Sequence, residues 1–356
     1  MSGLHLYCTK QIADCVTVEQ LRAIRDCAFS GSDSNFLLED PLEWNRQNNE
    51  MHDQLIRRTI QLSEMKLADQ GKGTPPVPYV FLLFGSGGRS EQTLWSDQDN
   101  GLVYENIGTD RERGRVEQYF NDLASLIFHN LVHLGYPPCP GNVVADNGRW
   151  RIPLSAWEAM ITRWISTPDW ESMRYALMIS DMRWIHGDAN LFNRVHRVFR
   201  NAIRDNPQVL IPMLKNTLHH KVSLGVFGQL LRERYGEFAG SVDVKYGMYI
   251  PFVNGIRLLS LRSGLFTNST LDRLMLLEHT GELPGDLDPI KLRHTFAALL
   301  KFRALTPCEK TNSGVYATTG KLPAEMLTKE RVREIKHCLI TGNSLQRWVE
   351  KSVNRR

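Results

Sequence analysis

Residues 84–105, F-G-S-G-G-R-S-E-Q-T-L-W-S-D-Q-D-N-G-L-V-Y-E, constrain this chain more than any other stretch. An apolar run, Tyr79 to Phe84, stops at Gly85-Ser86. After a short polar stretch, a second run, Leu102 to Tyr104, begins behind Asp97 and Asp99. Side chains two apart on a strand share a face, roughly 6.6 Å apart at Cα. Asp97 and Asp99 can therefore converge on one or two magnesium ions, while a glycine turn opposite offers backbone N–H groups to a triphosphate. Read so, the stretch is a site for moving a nucleotide. A plainer reading stands beside it: a polar loop between two strands, with both acids solvated or used as turn caps.

Spacing removes the competing motifs. A P-loop needs G-x-x-x-x-G-K-[ST], and no Lys follows these glycines; a dinucleotide fingerprint needs G-x-G-x-x-G, and Ser90 stands at its third position. A calcium loop counted from Asp97 would place Gly101 where the fifth-position ligand belongs and Gly108 where the closing Glu belongs, so an EF-hand is excluded.

Gly85-Ser86, Arg89, Glu91 and Ser96-Asp97-Gln98-Asp99-Asn100 resemble the signature of the polymerase-β-like nucleotidyltransferase superfamily. More narrowly, they resemble the nucleotidyltransferase domain of protein-PII uridylyltransferase and a bacterial group, often fused to CBS domains, in which G-S-x-G-R-x-E-Q-T and D-Q-D-N recur together. Gly135-Tyr136-Pro137-Pro138-Cys139-Pro140-Gly141-Asn142 resembles that group too, as do Asp181-Met182-Arg183 with Gly187-Asp188, and Asn268 to Leu274. The likeness covers roughly residues 75–305; the first 70 residues contribute nothing to it.

The resemblance implies an α+β fold, a small mixed-sheet nucleotidyltransferase core flanked by N-terminal and C-terminal helical bundles. It implies magnesium-dependent transfer of a nucleoside monophosphate, UMP or AMP, from a nucleoside triphosphate to an acceptor, with release of pyrophosphate. The acceptor it suggests is a PII-like regulatory protein, which would place the chain in signal transduction. Asp97 and Asp99 would hold the two metal ions, and Gly85 and Ser86, with Gly88 in the same turn, would grip the phosphates. Gly suits that place because a side chain would hold the backbone off the phosphate. Arg89 could reach a phosphate bidentately or form an ion pair with Glu91 or one of the acids. Asp146, behind Val143-Val144-Ala145, is the candidate third carboxylate. A non-catalytic sensor that binds nucleotide through the same loop is the alternative.

Composition narrows the remaining choices. The net charge of +4 carries no basic block, so nucleic acid is not an expected partner. Six cysteines, at 8, 15, 27, 139, 308 and 338, have no C-x-x-C spacing and read as reduced thiols. No apolar stretch approaches membrane-spanning length and the N-terminus lacks a leader pattern, so a cytoplasmic protein is expected. His186-Gly187-Asp188 lacks the partners of a phosphohydrolase His-Asp series, and His219-His220 falls in a helical stretch.

Three segments are expected: an N-terminal helical region to residue 70, a core over 75–150, and a helical substrate-binding segment over 151–356, with Gly71 to Pro76 as the first break. Val18, Leu21, Ile24 and Ala28 space as one helix face, and the N-terminal helices are expected to cover the sheet. The core should hold strands at 79–84 and 100–105, a short helix near 88–94, a third strand at 143–145, and a long helix from Arg111 to Leu134 closed by Gly135. Helices are expected over 154–165 and 170–184, and another entered at Asp288-Pro289.

Overall fold

The computed structural model describes residues 11–30, 34–218, 222–225, 228–283, 285–310 and 315–354. Cys8, His219 and His220 lie outside the described residues. The chain is α+β, with one four-stranded mixed sheet among many helices.

Two N-terminal helices matter most, α1 (Val18–Ser30) and α2 (Pro41–Asp69). Pro41 stands at the start of α2 because its missing N–H is not needed there, and Asp40 caps the turn by accepting from the Glu43 N–H. The sheet follows: β1 (Tyr79–Leu83), β2 (Asn100–Tyr104), β3 (Arg151–Pro153) and β4 (Arg183–Gly187), in the order β3-β2-β1-β4. β1 pairs antiparallel with β2 and with β4, and β2 pairs parallel with β3.

Period-two alternation splits β1 between two cores. Tyr79, Phe81 and Leu83 join Leu102, Tyr104 and Ile185 on one face, which packs against Leu55, Ile56 and Ile60 of α2. The same face receives Phe120, Leu123 and Ile127 of α3 (Asp110–Leu134). Val80, Leu82, Phe84 and Val103 face the other way, onto Trp150, Trp157, Met173 and Val195. The N-terminal helices thus cover the sheet, as their amphipathic pattern implies. Gly135 closes α3 at φ +106, a left-handed conformation that glycine alone adopts without cost.

Helices α4 (Leu154–Ser166), α5 (Trp170–Ile179) and α6 (Ala189–Asp205) flank the second face. Further along come α7 (Ile250–Arg262), α8 (Thr270–His279), α9 (Pro289–Ala304) and α10 (Lys329–Asn354). Asp288 caps α9 by accepting from the Ile290 N–H, with Pro289 at its first position, as the sequence implies.

Three expectations change. The segment 170–184 does not stay helical. Its helix ends at Ile179, and residues 183–187 form edge strand β4, so strands from beyond residue 150 complete the sheet. Val143 to Ala145 is not a strand, because the Asn100 side chain takes the ladder position by accepting from the Ala145 N–H at 2.8 Å. The short helix lies earlier than 88–94, at Gly85–Gly88, and residues 89–96 form a loop. No helix among the described residues is long and apolar enough to cross a membrane.

Candidate functional site

The site begins where β1 ends. The Phe84 N–H donates to the Asp99 carbonyl at 2.9 Å, so turn and acids are held side by side. Gly85 follows at φ +52, and a Cβ there would stand 2.4 Å from Asp99 Oδ2. Only glycine lets the carboxylate lie against this turn.

A polar stripe on α2 holds the loop that carries the acids. Asn45 donates to the Ser90 carbonyl at 2.8 Å, and Asn48 donates to the Gln92 carbonyl at 2.8 Å. Asn49 accepts from the Gln92 N–H, and His52 meets the Thr93 carbonyl at 3.1 Å. Positions 45, 48, 49 and 52 share one helix face, so a buried loop finds its partners without ladder hydrogen bonds. Arg25 of α1 adds a bond to the Leu94 carbonyl at 3.0 Å from a cage of Phe29, Trp95 and Tyr136 rings.

Gln98 then pairs in parallel with Pro138, its N–H donating to the Pro137 carbonyl at 3.0 Å. Its buried side chain faces inward, which leaves Asp97 and Asp99 half-buried together on the other side. The same pairing sets Cys139 beside Asp99. Ligand atoms of Asp97, Asp99 and Cys139 all lie within 4.8 Å of one another. Burial and the neighbouring Asp97 charge push the Asp99 carboxyl up to about 7, against a smaller opposing effect of the Cys139 thiol hydrogen bond and Lys245. Among the described residues neither acid forms an ion pair with Lys or Arg.

These three residues stand in a cleft of about 430 Å³. Its lining also includes Arg174, Tyr175 and Met178 of α5 with Lys245 and Tyr246. The last two open a π-helical turn, Lys245–Tyr249, a geometry frequent at functional sites. Acids together with cations and aromatic rings suit a metal-bound, negatively charged, ring-bearing ligand.

The other expected site residues take different places. Ser86 is half-buried beside Gly85. Gly88 is buried, and a Cβ there would meet the Asp181 carbonyl oxygen at 2.2 Å, so its glycine serves close packing. Arg89 is buried away from the cleft with each guanidinium nitrogen engaged: to Glu91 at 2.7 Å, Asp181 at 2.5 Å and the Tyr249 hydroxyl at 2.9 Å. Of the two roles expected for Arg89, this geometry corresponds to the ion pair with Glu91. Asp146 is not part of the three-residue group; its carbonyl accepts from Arg151 at 2.7 Å, and Cys139 stands in the third place.

Asp181 collects Arg89, Arg257 and Arg273 on one fully buried carboxylate. Burial would raise its pKa, but Arg257, Arg89 and Arg273 together hold it well below the usual carboxylate range. Arg183 forks onto Asp53 at 2.5 and 2.7 Å, and Asp188 caps α6 through the Leu191 N–H. Cys139, Arg174 and Lys245 escape sequence reasoning because only the folded chain brings them to the acids. The proline-rich approach to Cys139 was the one available signal.

Two family models match the chain. One, described as "Putative nucleotidyltransferase DUF294", matches residues 40–171. The other, described as "Putative nucleotidyltransferase substrate binding domain", matches residues 207–353. No curated protein matches significantly. The first match starts at the cap of α2 and contains the whole acidic loop.

Proposed function

Taking as premise that the chain belongs to this nucleotidyltransferase superfamily and carries its C-terminal substrate-binding domain, we propose that it transfers a nucleoside monophosphate from a nucleoside triphosphate to an acceptor. The observation that carries this reading is the convergence of Asp97 and Asp99 in a cleft whose lining is also cationic and aromatic. The donor set fits a divalent cation, magnesium in the resembled enzymes. Two neighbouring carboxylates without an ion-pair partner repel each other, and burial together with the Asp97 charge holds Asp99 toward its neutral form. When bound, such a cation neutralises charge on the attacking and leaving oxygens.

The chain's own residues do the rest. Asp97 and Asp99 hold the metal position, and the N–H groups at the head of the Gly85–Gly88 turn, which have no carbonyl one turn back to bond, are offered to phosphate oxygens. Lys245 adds positive charge for the triphosphate, and the exposed ring of Tyr246 offers an aromatic face to the base, whereas the Tyr175 ring is already stacked on Trp164 and covered by Arg149. The acceptor oxygen attacks the α-phosphorus and its proton passes to solvent, while the bond from the α-phosphorus to the oxygen bridging it to the β-phosphorus breaks and pyrophosphate leaves. Positioning and charge, rather than covalent chemistry by the protein, supply the rate. The acceptor in this reading is a regulatory protein of the PII kind, held by the C-terminal helices, and the nucleotide is UMP or AMP.

A second reading, a nucleotide-binding sensor without transfer, is favoured by one observation: among the described residues no third carboxylate joins the pair. One experiment separates the two. Purified protein is incubated with a divalent cation and each labelled nucleoside triphosphate, with and without host lysate. Label appearing on protein, and lost in Asp97→Asn, supports transfer. Tight nucleotide binding with no label moved to any protein or small molecule supports the sensor.

A further inference from the structure

Cys139 is an unusual neighbour for a magnesium site. Cys15 and Cys338 are buried in hydrophobic surroundings, whereas Cys139 is only half-buried, unpaired, and open to the cleft that holds both acids. Its place is fixed by backbone rather than chance, since the Gln98–Pro138 pairing sets it next to Asp99 on the cleft face.

We infer that Cys139 is a third ligand of the acidic centre, and that the Asp97–Asp99–Cys139 set binds a thiophilic divalent cation such as Zn²⁺ or Co²⁺ in preference to Mg²⁺. This rests on the metal-site part of the function proposed above. Magnesium is a hard cation that takes oxygen ligands and keeps its waters, so a sulfur donor adds nothing to its binding. Zn²⁺ and Co²⁺ accept carboxylate and thiolate together, and three protein ligands with a place left open to a cleft is the donor count of catalytic zinc sites. Ligand atoms around one tetrahedral zinc lie roughly 3–4 Å apart. The three ligand atoms, all within 4.8 Å of one another, lie close to that spacing.

The test is a titration of the chelator-stripped, full-length protein with Cd²⁺ and Co²⁺, read by the sulfur-to-metal charge-transfer absorption, with Zn²⁺ and Mg²⁺ affinities from calorimetry. The inference expects one equivalent of thiolate-bound metal per chain, with the band lost in Cys139→Ser. It also expects Zn²⁺ to bind at least about tenfold more weakly to that variant, the cost usual for losing support at a metal site. Cys139→Asp should reverse the preference, with Mg²⁺ binding more tightly and Zn²⁺ more weakly; as a gain, that result cannot come from misfolding. A band that persists in Cys139→Ser, or Zn²⁺ affinity unchanged in it, overturns the inference. The two proposals fail separately. A Cys139-dependent band without nucleotidyl transfer keeps this inference and removes the transfer reading; magnesium-supported transfer with no band does the reverse.

Discussion

Asp99, half-buried at the edge of a cleft, and Asp181, fully buried, are opposite solutions to the same electrostatic problem. Asp181 is fully buried and receives three guanidinium groups, which keep it ionised. Asp99 receives no guanidinium ion pair among the described residues, and burial with the neighbouring Asp97 charge pushes it up to about 7. The first carboxylate is neutralised within the chain; in the function proposed above, the second is neutralised by a bound cation. A fold that can bring three arginines to one acid does not leave two others bare for lack of arginines. What distinguishes the two acids is that Asp181 has its cations within the chain, while among the described residues Asp99 has none in ion-pair contact, as the proposed metal site requires.

Four measurements would break or sharpen that contrast. Asp97→Asn should reduce transfer on the order of 10²–10³-fold or more, while its apo melting temperature stays level or rises because a like-charge repulsion is gone. Asp181→Asn should do the opposite, costing about 3–5 kcal/mol in denaturant unfolding, since it strands buried guanidiniums. If the two variants behaved alike, the distinction would be lost. Arg89→Lys should cost about 1.5–3 kcal/mol of stability through its charge-assisted hydrogen bonds, and leave nucleotide affinity within about twofold, a change worth less than 1 kcal/mol. A large loss of nucleotide affinity would return Arg89 to the phosphate site.

The fourth measurement concerns pH. The folded pKa of Asp99 lies above its unfolded value, so the native state holds more protons than the unfolded one between about pH 4 and 7. Metal-free stability should therefore fall as pH rises across that window and level off above it. Asp97, Cys139 and Lys245 face the same carboxyl, so the comparison is with Asp99→Asn, in which the slope should flatten. Melting with and without divalent cation checks it: stabilisation by the cation should grow from pH 5.5 to pH 8.

Much of this site was legible in advance, for a local reason. β1, the acidic pair, α3 and its glycine stop are encoded by runs of neighbours, and periodicity reports neighbours. β4 was not legible, because R-W-I-H-G is a short edge strand with Trp184 partly exposed and lacks a clean alternation. The stripe Asn45, Asn48, Asn49 and His52 reads as a solvated helix face until the loop it holds is known. Cys139 and Lys245 reach Asp99 only through a parallel bridge and a π-helical turn, both invisible to a pattern read along the chain.

The position of β4 also bears on the order in which the molecule can be made. β1 lies between β2 and β4, so until residues 183–187 have left the ribosome it exposes one unpaired edge of a very apolar strand. Asp181, just before β4, is neutralised by Arg89, already made, but also by Arg257 and Arg273, which are synthesised later. A nascent chain ending between β4 and α7 would thus have a complete sheet but a half-paired interior charge. Such a chain is a candidate for chaperone retention, and stopping translation there should yield a species more easily proteolysed than one extended through α8.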